Sequence, residues 1–155
     1  MLILSSVLMS EEIEHKELIF IYNAKSGFIN ELVDFAHKII SPETYDCNLC
    51  AITYGPFRME KRWTDYIESL PINSVFTYQD KLYENKLKNV KLPSIFLRNG
   101  TELKELISSS EINKLNELQQ LIKILEKKLK ENGMETKKQK EVNLSDEEWK
   151  KKLTP

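Results

Sequence analysis

The cysteines of this chain stand three positions apart. The sequence holds two of them, Cys47 and Cys50, separated by Asn48 and Leu49. This CxxC spacing suits a reversible disulfide, in which Cys47 attacks as a thiolate and Cys50 resolves the mixed disulfide, or one half of a metal site. For either cysteine alone, a role as a small buried hydrophobic residue is the alternative. Redox catalysis by the pair is our leading hypothesis.

The residues before the pair bear on that chemistry. If Ser41 caps a short helix that runs toward Gly55, Cys47 falls in its first two turns, where backbone amides favour a thiolate. Asp46 opposes this effect, because an adjacent negative charge disfavours a second one. His37 is a candidate base for the pair, and the alternative is a partly buried histidine bonded to a backbone carbonyl.

Zinc is a second interpretation of the pair. A closed zinc site needs four ligands, and the sequence offers Cys47, Cys50, His37 and His15 besides carboxylates. A second CxxC and paired histidines at ligand spacing are missing from the sequence. We therefore expect no cofactor, and zinc held by Cys47, Cys50 and His37 is the minority alternative.

Composition predicts one soluble domain with tails. The 155 residues are 41% hydrophobic and 30% charged, with a formal net charge of −1. The lysines after Lys123 alternate with glutamates rather than forming a basic stripe, so nucleic acid is not an expected partner. The apolar first eight residues have no basic n-region, no cleavage site and too little length to span a bilayer. We expect a cytoplasmic protein without membrane attachment, where a CxxC is more often catalytic or metal-binding than structural.

The first half of the chain predicts two strands with helices between them. The apolar run at 17–23 is typical of a central strand buried on both faces. Apolar residues at helical spacing predict one helix over 29–40 and another over 61–70, with Trp63 facing inward. Residues 74–78 predict the second strand.

The second half predicts a β-hairpin followed by a long helix. Pro93 precedes a strand, an Asn-Gly turn and a further strand that ends near residue 107. Leucines at helical spacing over 115–129 predict a helix packed on the sheet. Over residues 18–129 this order resembles the thioredoxin-like fold. The resemblance implies an α/β three-layer sandwich of about four mixed strands with helices on both faces, and a cis-proline at Pro93 that contacts substrate.

The position of the cysteines departs from that resemblance. Thioredoxins carry CxxC directly after the first strand, at a helix N-terminus that lowers the thiol pKa. Lys25-Ser26-Gly27-Phe28 stands at that place here, and the pair comes one helix later. We therefore expect the cysteines at the opposite end of the sheet from Pro93.

A second resemblance links residues around the pair. The run 41–55 with His37 before it, and Leu92-Pro93-Ser94-Ile95-Phe96-Leu97 later, resembles a group of small bacterial proteins for which no activity is established. It implies that His37, the two cysteines and Trp63 form one site. Trp63 and Tyr54 are the aromatic candidates for substrate contact, although aromatic residues at this density usually pack in a core.

The C-terminus carries a third resemblance. We divide the chain into an N-terminal extension (1–16), a thioredoxin-like domain (17–130), a charged linker (131–143) and a short segment (144–155). The last segment resembles the start of the B-type methionine-R-sulfoxide reductases, and it ends before any of that family's catalytic or zinc-binding cysteines. Because those enzymes finish each cycle oxidised, the resemblance implies a methionine sulfoxide reductase, or another protein disulfide, as partner.

Two hypotheses follow for the whole protein. The first is a small thiol-disulfide oxidoreductase that uses Cys47 and Cys50. The alternative is a non-catalytic binding module in which the Lys25-Ser26-Gly27 loop, at the N-terminus of the first helix, holds an anion or a partner. In that case the cysteines are structural or metal-bound.

Overall fold

The computed structural model describes residues 16–26, 47–55, 58–82 and 87–134. Its strands are β1 (Lys16–Tyr22), β2 (Asn73–Tyr78), β3 (Ser94–Asn99) and β4 (Glu102–Ile107). Its α-helices are α1 (Asn48–Thr53), α2 (Lys61–Ser69), α3 (Ser109–Ile112) and α4 (Leu118–Glu131), and a 3-10 turn covers Gln79–Lys81. The predicted helix over 29–40 lies outside the described residues.

The four strands form one mixed sheet in the order β2-β1-β3-β4. β1 runs parallel to β2 and antiparallel to β3, and β3 pairs with β4 as a hairpin. At the tip of this hairpin Gly100 takes a φ of 58°, which glycine adopts without a steric penalty. The α/β fold with a four-stranded mixed sheet that the sequence predicts is therefore confirmed.

β1 is central because both of its faces are apolar. Five consecutive residues, Leu18 to Tyr22, are fully buried. Leu18, Phe20 and Tyr22 face the main core, whereas Ile19 and Ile21 face a second cluster on the other side of the sheet. A strand covered on both sides reads as a continuous apolar run, which is why the sequence pattern located it within one residue.

A layer of chain covers each face of the sheet. The first face carries α1, α2 and α4 through their apolar side chains: Leu49, Trp63, Leu121, Leu125 and Leu129. The second face is covered by residues of the connection between β2 and β3: Leu82, Leu87, Val90 and Leu92. Two of the helices also meet directly, since the Arg62 guanidinium donates to the Gln119 side chain.

α4 ends in a glycine cap at Gly133. The helix runs to Glu131, and Gly133, with a φ of 75°, places the Met134 amide against the Leu129 carbonyl at 2.9 Å. This is a Schellman motif, in which a left-handed glycine satisfies the last carbonyls of a helix. Met134 packs against the main core. The described fold thus includes residues up to Met134, and the linker boundary at 130/131 stays a prediction.

None of the described helices is long and apolar enough to cross a membrane. The two described α-helices of nine residues or more, α2 and α4, each bury one apolar stripe and expose charged residues on the other side.

Candidate functional site

The CxxC pair spans the first turn of α1. Cys47 is the N-cap residue of this helix, and its Sγ accepts the backbone N–H of Cys50 at 3.2 Å. The two residues form a disulfide with their Cα atoms 5.3 Å apart, within the ordinary range for such bridges. An N–H that points at Sγ stabilises a thiolate at Cys47, whereas burial among apolar residues disfavours it.

Both sulfur-bearing residues are buried. Cys47 is 2% exposed and Cys50 is 3% exposed, and both belong to the main core. Leu49, between them, is fully buried. Asn48 is only half-buried and is the polar member of the motif.

Tyr22 fixes the end of the sheet at which α1 lies. This tyrosine is the last residue of β1, and its hydroxyl lies 3.3 Å from the Thr53 hydroxyl at the end of α1. Its ring also meets the Tyr54 ring edge-on, with the centroids 5.8 Å apart. The helix that carries the cysteines is therefore held at the C-terminal end of β1.

Asn48 joins the pair to the chain that follows β4. Its Nδ2 atom donates to the carbonyl oxygen of Ile112 at 2.7 Å and to that of Leu115 at 2.8 Å. Ile112 is the last residue of α3, so both acceptors lie in the turn between α3 and α4. One amide group thus ties α1 to residues more than sixty positions away.

Pro93 lies at the same end of the sheet as the cysteines. Ser94 pairs with Ile21 near the end of β1, and the buried Pro93 comes immediately before it. The Leu92–Pro93 peptide bond is cis. The Leu92 carbonyl accepts the hydroxyl of Ser109, the first residue of α3, at 2.8 Å.

The expectation that the pair lies opposite Pro93 is wrong. α3 bridges the two segments, because its first residue contacts Leu92 and its last residue contacts Asn48. The expectation rests on one helix after β1, which returns a chain to the far end of a sheet. The contacts of α1 with Tyr22 show instead that the chain from 47 onward begins at the near end.

Trp63 and Tyr54 occupy different environments. Trp63 is fully buried and packs against the rings of Phe20 and Tyr66. Tyr54 is half-buried, and burial raises the pKa of its hydroxyl, with Tyr78 adding to the effect. Of the two, Tyr54 is the more accessible to a partner, and substrate contact by either remains a prediction.

The loop at Lys25 and Ser26 already holds a carboxylate. The Asp80 side chain accepts the Ser26 backbone N–H at 2.8 Å and the Ser26 hydroxyl at 2.6 Å. These two hydrogen bonds lower the pKa of Asp80. The predicted anion-binding groups of Ser26 are therefore occupied by the protein's own anion, whereas Lys25 is exposed and Gly27 lies outside the described residues.

His37 and His15, the predicted base and the further candidate zinc ligand, also lie outside the described residues. Within 16–26, 47–55, 58–82 and 87–134, no group of three or more histidine, cysteine or acidic side chains is placed to hold a metal ion. Zinc at the pair stays a prediction that depends on His37.

Sequence reasoning missed three polar residues that position the site: Asn48, Ser109 and Thr53. In the sequence Asn48 is one of the two residues between the cysteines, and nothing there marks it as a hydrogen-bond donor to the turn. Its acceptors are backbone carbonyls, which belong to no sequence motif. Ser109 is the first residue of α3 and follows Ser108, which forms a capping box with Glu111. Its second role, at Leu92, depends on tertiary structure.

Comparison of the chain with protein-family models, curated proteins and solved structures finds no match in any of the three. The C-terminal segment 144–155, which resembles the start of a reductase, lies outside the described residues. The function of the pair must therefore be inferred from its own surroundings.

Proposed function

We propose that the protein is a thiol-disulfide oxidoreductase whose working group is the Cys47–Cys50 pair. The observation that carries the proposal is the Cys50 amide, which donates to the Cys47 Sγ across the first turn of α1. The same donor stabilises the bridge in the oxidised form and a Cys47 thiolate in the reduced form. The position of α1 beside Tyr22, at the end of the sheet that carries Pro93, also supports an active site there.

The reaction is a two-electron exchange. The Cys47 thiolate attacks one sulfur of a partner disulfide, and the other partner sulfur leaves as a thiolate that takes up a proton. The Cys50 thiol then loses its proton and attacks the Cys47 sulfur of the mixed disulfide. The second partner sulfur leaves Cys47 as a thiolate and takes up a proton, so the partner has gained two electrons from the pair and two protons, one released by Cys50 and one taken from solvent.

A B-type methionine sulfoxide reductase is the partner we propose. The resemblance of residues 144–155 to the start of such an enzyme supports it, because these enzymes need an external dithiol to begin a new cycle. We place this exchange in the cytoplasm, where glutathione and related thiols keep a dithiol reduced. No cofactor is required, since the two cysteines supply both electrons.

The burial of the pair favours one competing role. With exposures of 2% and 3%, Cys47 and Cys50 contact a partner only after α1 opens locally, and a bridge that never opens would be structural. If the pair is structural and the protein is a binding module, its disulfide should resist reduction until the domain unfolds.

A coupled assay separates the two roles. The reduced protein is mixed with an oxidised B-type reductase and methionine-R-sulfoxide, and product is measured over several cycles with dithiothreitol as the final reductant. We expect product formation above the dithiothreitol background, and we expect Cys47→Ser and Cys50→Ser to abolish that gain. A gain of the same size with the double variant Cys47→Ser/Cys50→Ser would contradict the proposal.

A further inference from the structure

Asn48 is the residue whose contacts extend furthest beyond the cysteine pair. It donates both hydrogens of its side-chain amide, one to Ile112 and one to Leu115. The orientation of the amide is settled by these partners, because the opposite orientation would set its oxygen against two carbonyl oxygens. Asn48 therefore acts as a double donor, a role that aspartate of nearly the same shape cannot fill.

The two acceptors belong to a well-anchored turn. Ile112 is fully buried, and Leu115 packs against the main core. At the start of α3, Ser108 accepts the Glu111 amide while the Glu111 carboxylate accepts the Ser108 amide at 2.8 Å. A turn held at both ends gives Asn48 fixed points to bind.

α1, in contrast, is short and depends on outside contacts. It has six residues, and an isolated helix of that length is unstable in water. Its first turn is held by the disulfide and by Asn48, whereas its last turn is held by the hydroxyl contact between Thr53 and Tyr22. When the disulfide is reduced, the two hydrogen bonds of Asn48 still tie the first turn to Ile112 and Leu115.

We infer that Asn48 is a positioning residue that keeps the two thiols within bonding distance in the reduced protein. This inference rests on the proposed redox function and deepens it. Reduction lets the first turn of α1 unwind, whereas in the oxidised form the bridge keeps that turn closed even when α1 moves away from the core as a unit. The bonds of Asn48 oppose that opening, raise the effective concentration of one thiol at the other, and so favour the disulfide.

The test is the equilibrium of the pair with glutathione. The fraction of disulfide is measured by alkylation and mass spectrometry in buffers of varied [GSH]²/[GSSG], at one pH, for the full chain. For Asn48→Ala we expect the midpoint ratio to fall roughly three- to tenfold, because two hydrogen bonds of ordinary strength are lost from the closed form. For Asn48→Asp the fall should be at least as large. Asn116→Ala, an exposed asparagine near the same turn, is the matched control and should leave the midpoint unchanged.

Urea unfolding of both redox forms separates positioning from simple stabilisation. A merely structural Asn48 would lower the stability of the oxidised and reduced forms equally and leave the midpoint with glutathione unchanged, and this result would overturn the inference. If Asn48 is a positioning residue, its substitution should lower the stability of the oxidised form more than that of the reduced form, because the bridge prevents the first turn of the oxidised form from relaxing.

A measurement on the unmodified protein does not depend on whether the variants fold. The side-chain hydrogens of Asn48 should exchange with solvent faster in the reduced protein than in the oxidised one, as read by NMR. Equal rates in the two forms would contradict the inference. A pair that equilibrates with glutathione but drives no reductase would contradict the proposed function and leave the test of Asn48 intact.

Discussion

The hydroxyl of Tyr22 donates to the hydroxyl of Thr53, one turn after Cys50. Thr53 Oγ1 donates its own hydrogen to the Leu49 carbonyl at 2.6 Å, so it must accept from Tyr22 at 3.3 Å. This contact joins the end of the central strand to the helix that carries the cysteines. It decides at which end of the sheet any chemistry of the pair takes place.

Removing this contact should destabilise the domain by a modest amount. For Tyr22→Phe we expect the free energy of unfolding to fall by about 1 kcal/mol, because one buried hydrogen bond is lost while the ring still packs. Thr53 keeps its bond to Leu49, so it is not left without a partner. Urea unfolding measures the change, and Thr53→Ser, which retains the hydroxyl, is the control. An unchanged free energy of unfolding in Tyr22→Phe would show that the hydroxyl pair is not formed.

Alkaline pH should weaken the folded state through Tyr22. Burial raises the pKa of this phenol above its usual value near 10. Above pH 10 the unfolded chain releases the proton and the folded chain keeps it, so stability falls as pH rises. The slope from one such group approaches about 1.4 kcal/mol per pH unit. Unfolding of the parent and of Tyr22→Phe between pH 8 and pH 11 tests this, and parallel curves would contradict it.

The contact between Ser26 and Asp80 should be lost in acid. Hydrogen bonds from Ser26 lower the pKa of Asp80 below its usual value, so the stability that they supply is present above that value and disappears as pH falls through the folded pKa. Asp80→Asn should therefore have a lower free energy of unfolding than the parent at neutral pH and the same free energy of unfolding in strong acid. Glu102→Gln, at an exposed position of β4, controls for the lost charge. A difference between parent and Asp80→Asn that persists at low pH would disprove this account.

The capping box of α3 should contribute both to stability and to the site. For Ser108→Ala we expect a loss of about 1 kcal/mol in the free energy of unfolding, the usual cost of removing an N-cap side chain. Ser110→Ala, at an exposed position two residues further on, should lower the free energy of unfolding by less, because Ser110 is not the N-cap residue. Chemical denaturation of both variants gives the comparison. Equal losses would show that the Ser108 hydroxyl does not act as a cap.

Elements with strong local patterns were predictable from the sequence. The sequence located three elements within a few residues: the apolar run of β1, the Pro93 hairpin and the leucine stripe of α4. Burial on one or both faces of an element requires apolar residues at a regular spacing, and this spacing can be recognised in the sequence. The glycine cap of α4 at Gly133 was not predicted, because lysine-rich composition dominates the sequence there.

The arrangement of the site was not predictable, because long-range contacts determine it. Asn48 bonds to residues 64 and 67 positions away, and Ser26 bonds to a residue 54 positions away. None of these partners is marked by a motif, since two are backbone carbonyls and the third is one carboxylate among many. The end of the sheet that receives the cysteines depends in the same way on the contact between Tyr22 and Thr53.

The most direct measurement of the central claim is a thiol count on freshly purified protein, before and after treatment with a reductant under native conditions, with metal analysis of the same sample. We expect two thiols to be gained on reduction and lost again on oxidation with glutathione disulfide, and we expect no stoichiometric zinc. Two thiols that never oxidise, a disulfide that opens only when the domain unfolds, or one zinc ion per chain would contradict a redox role for Cys47 and Cys50.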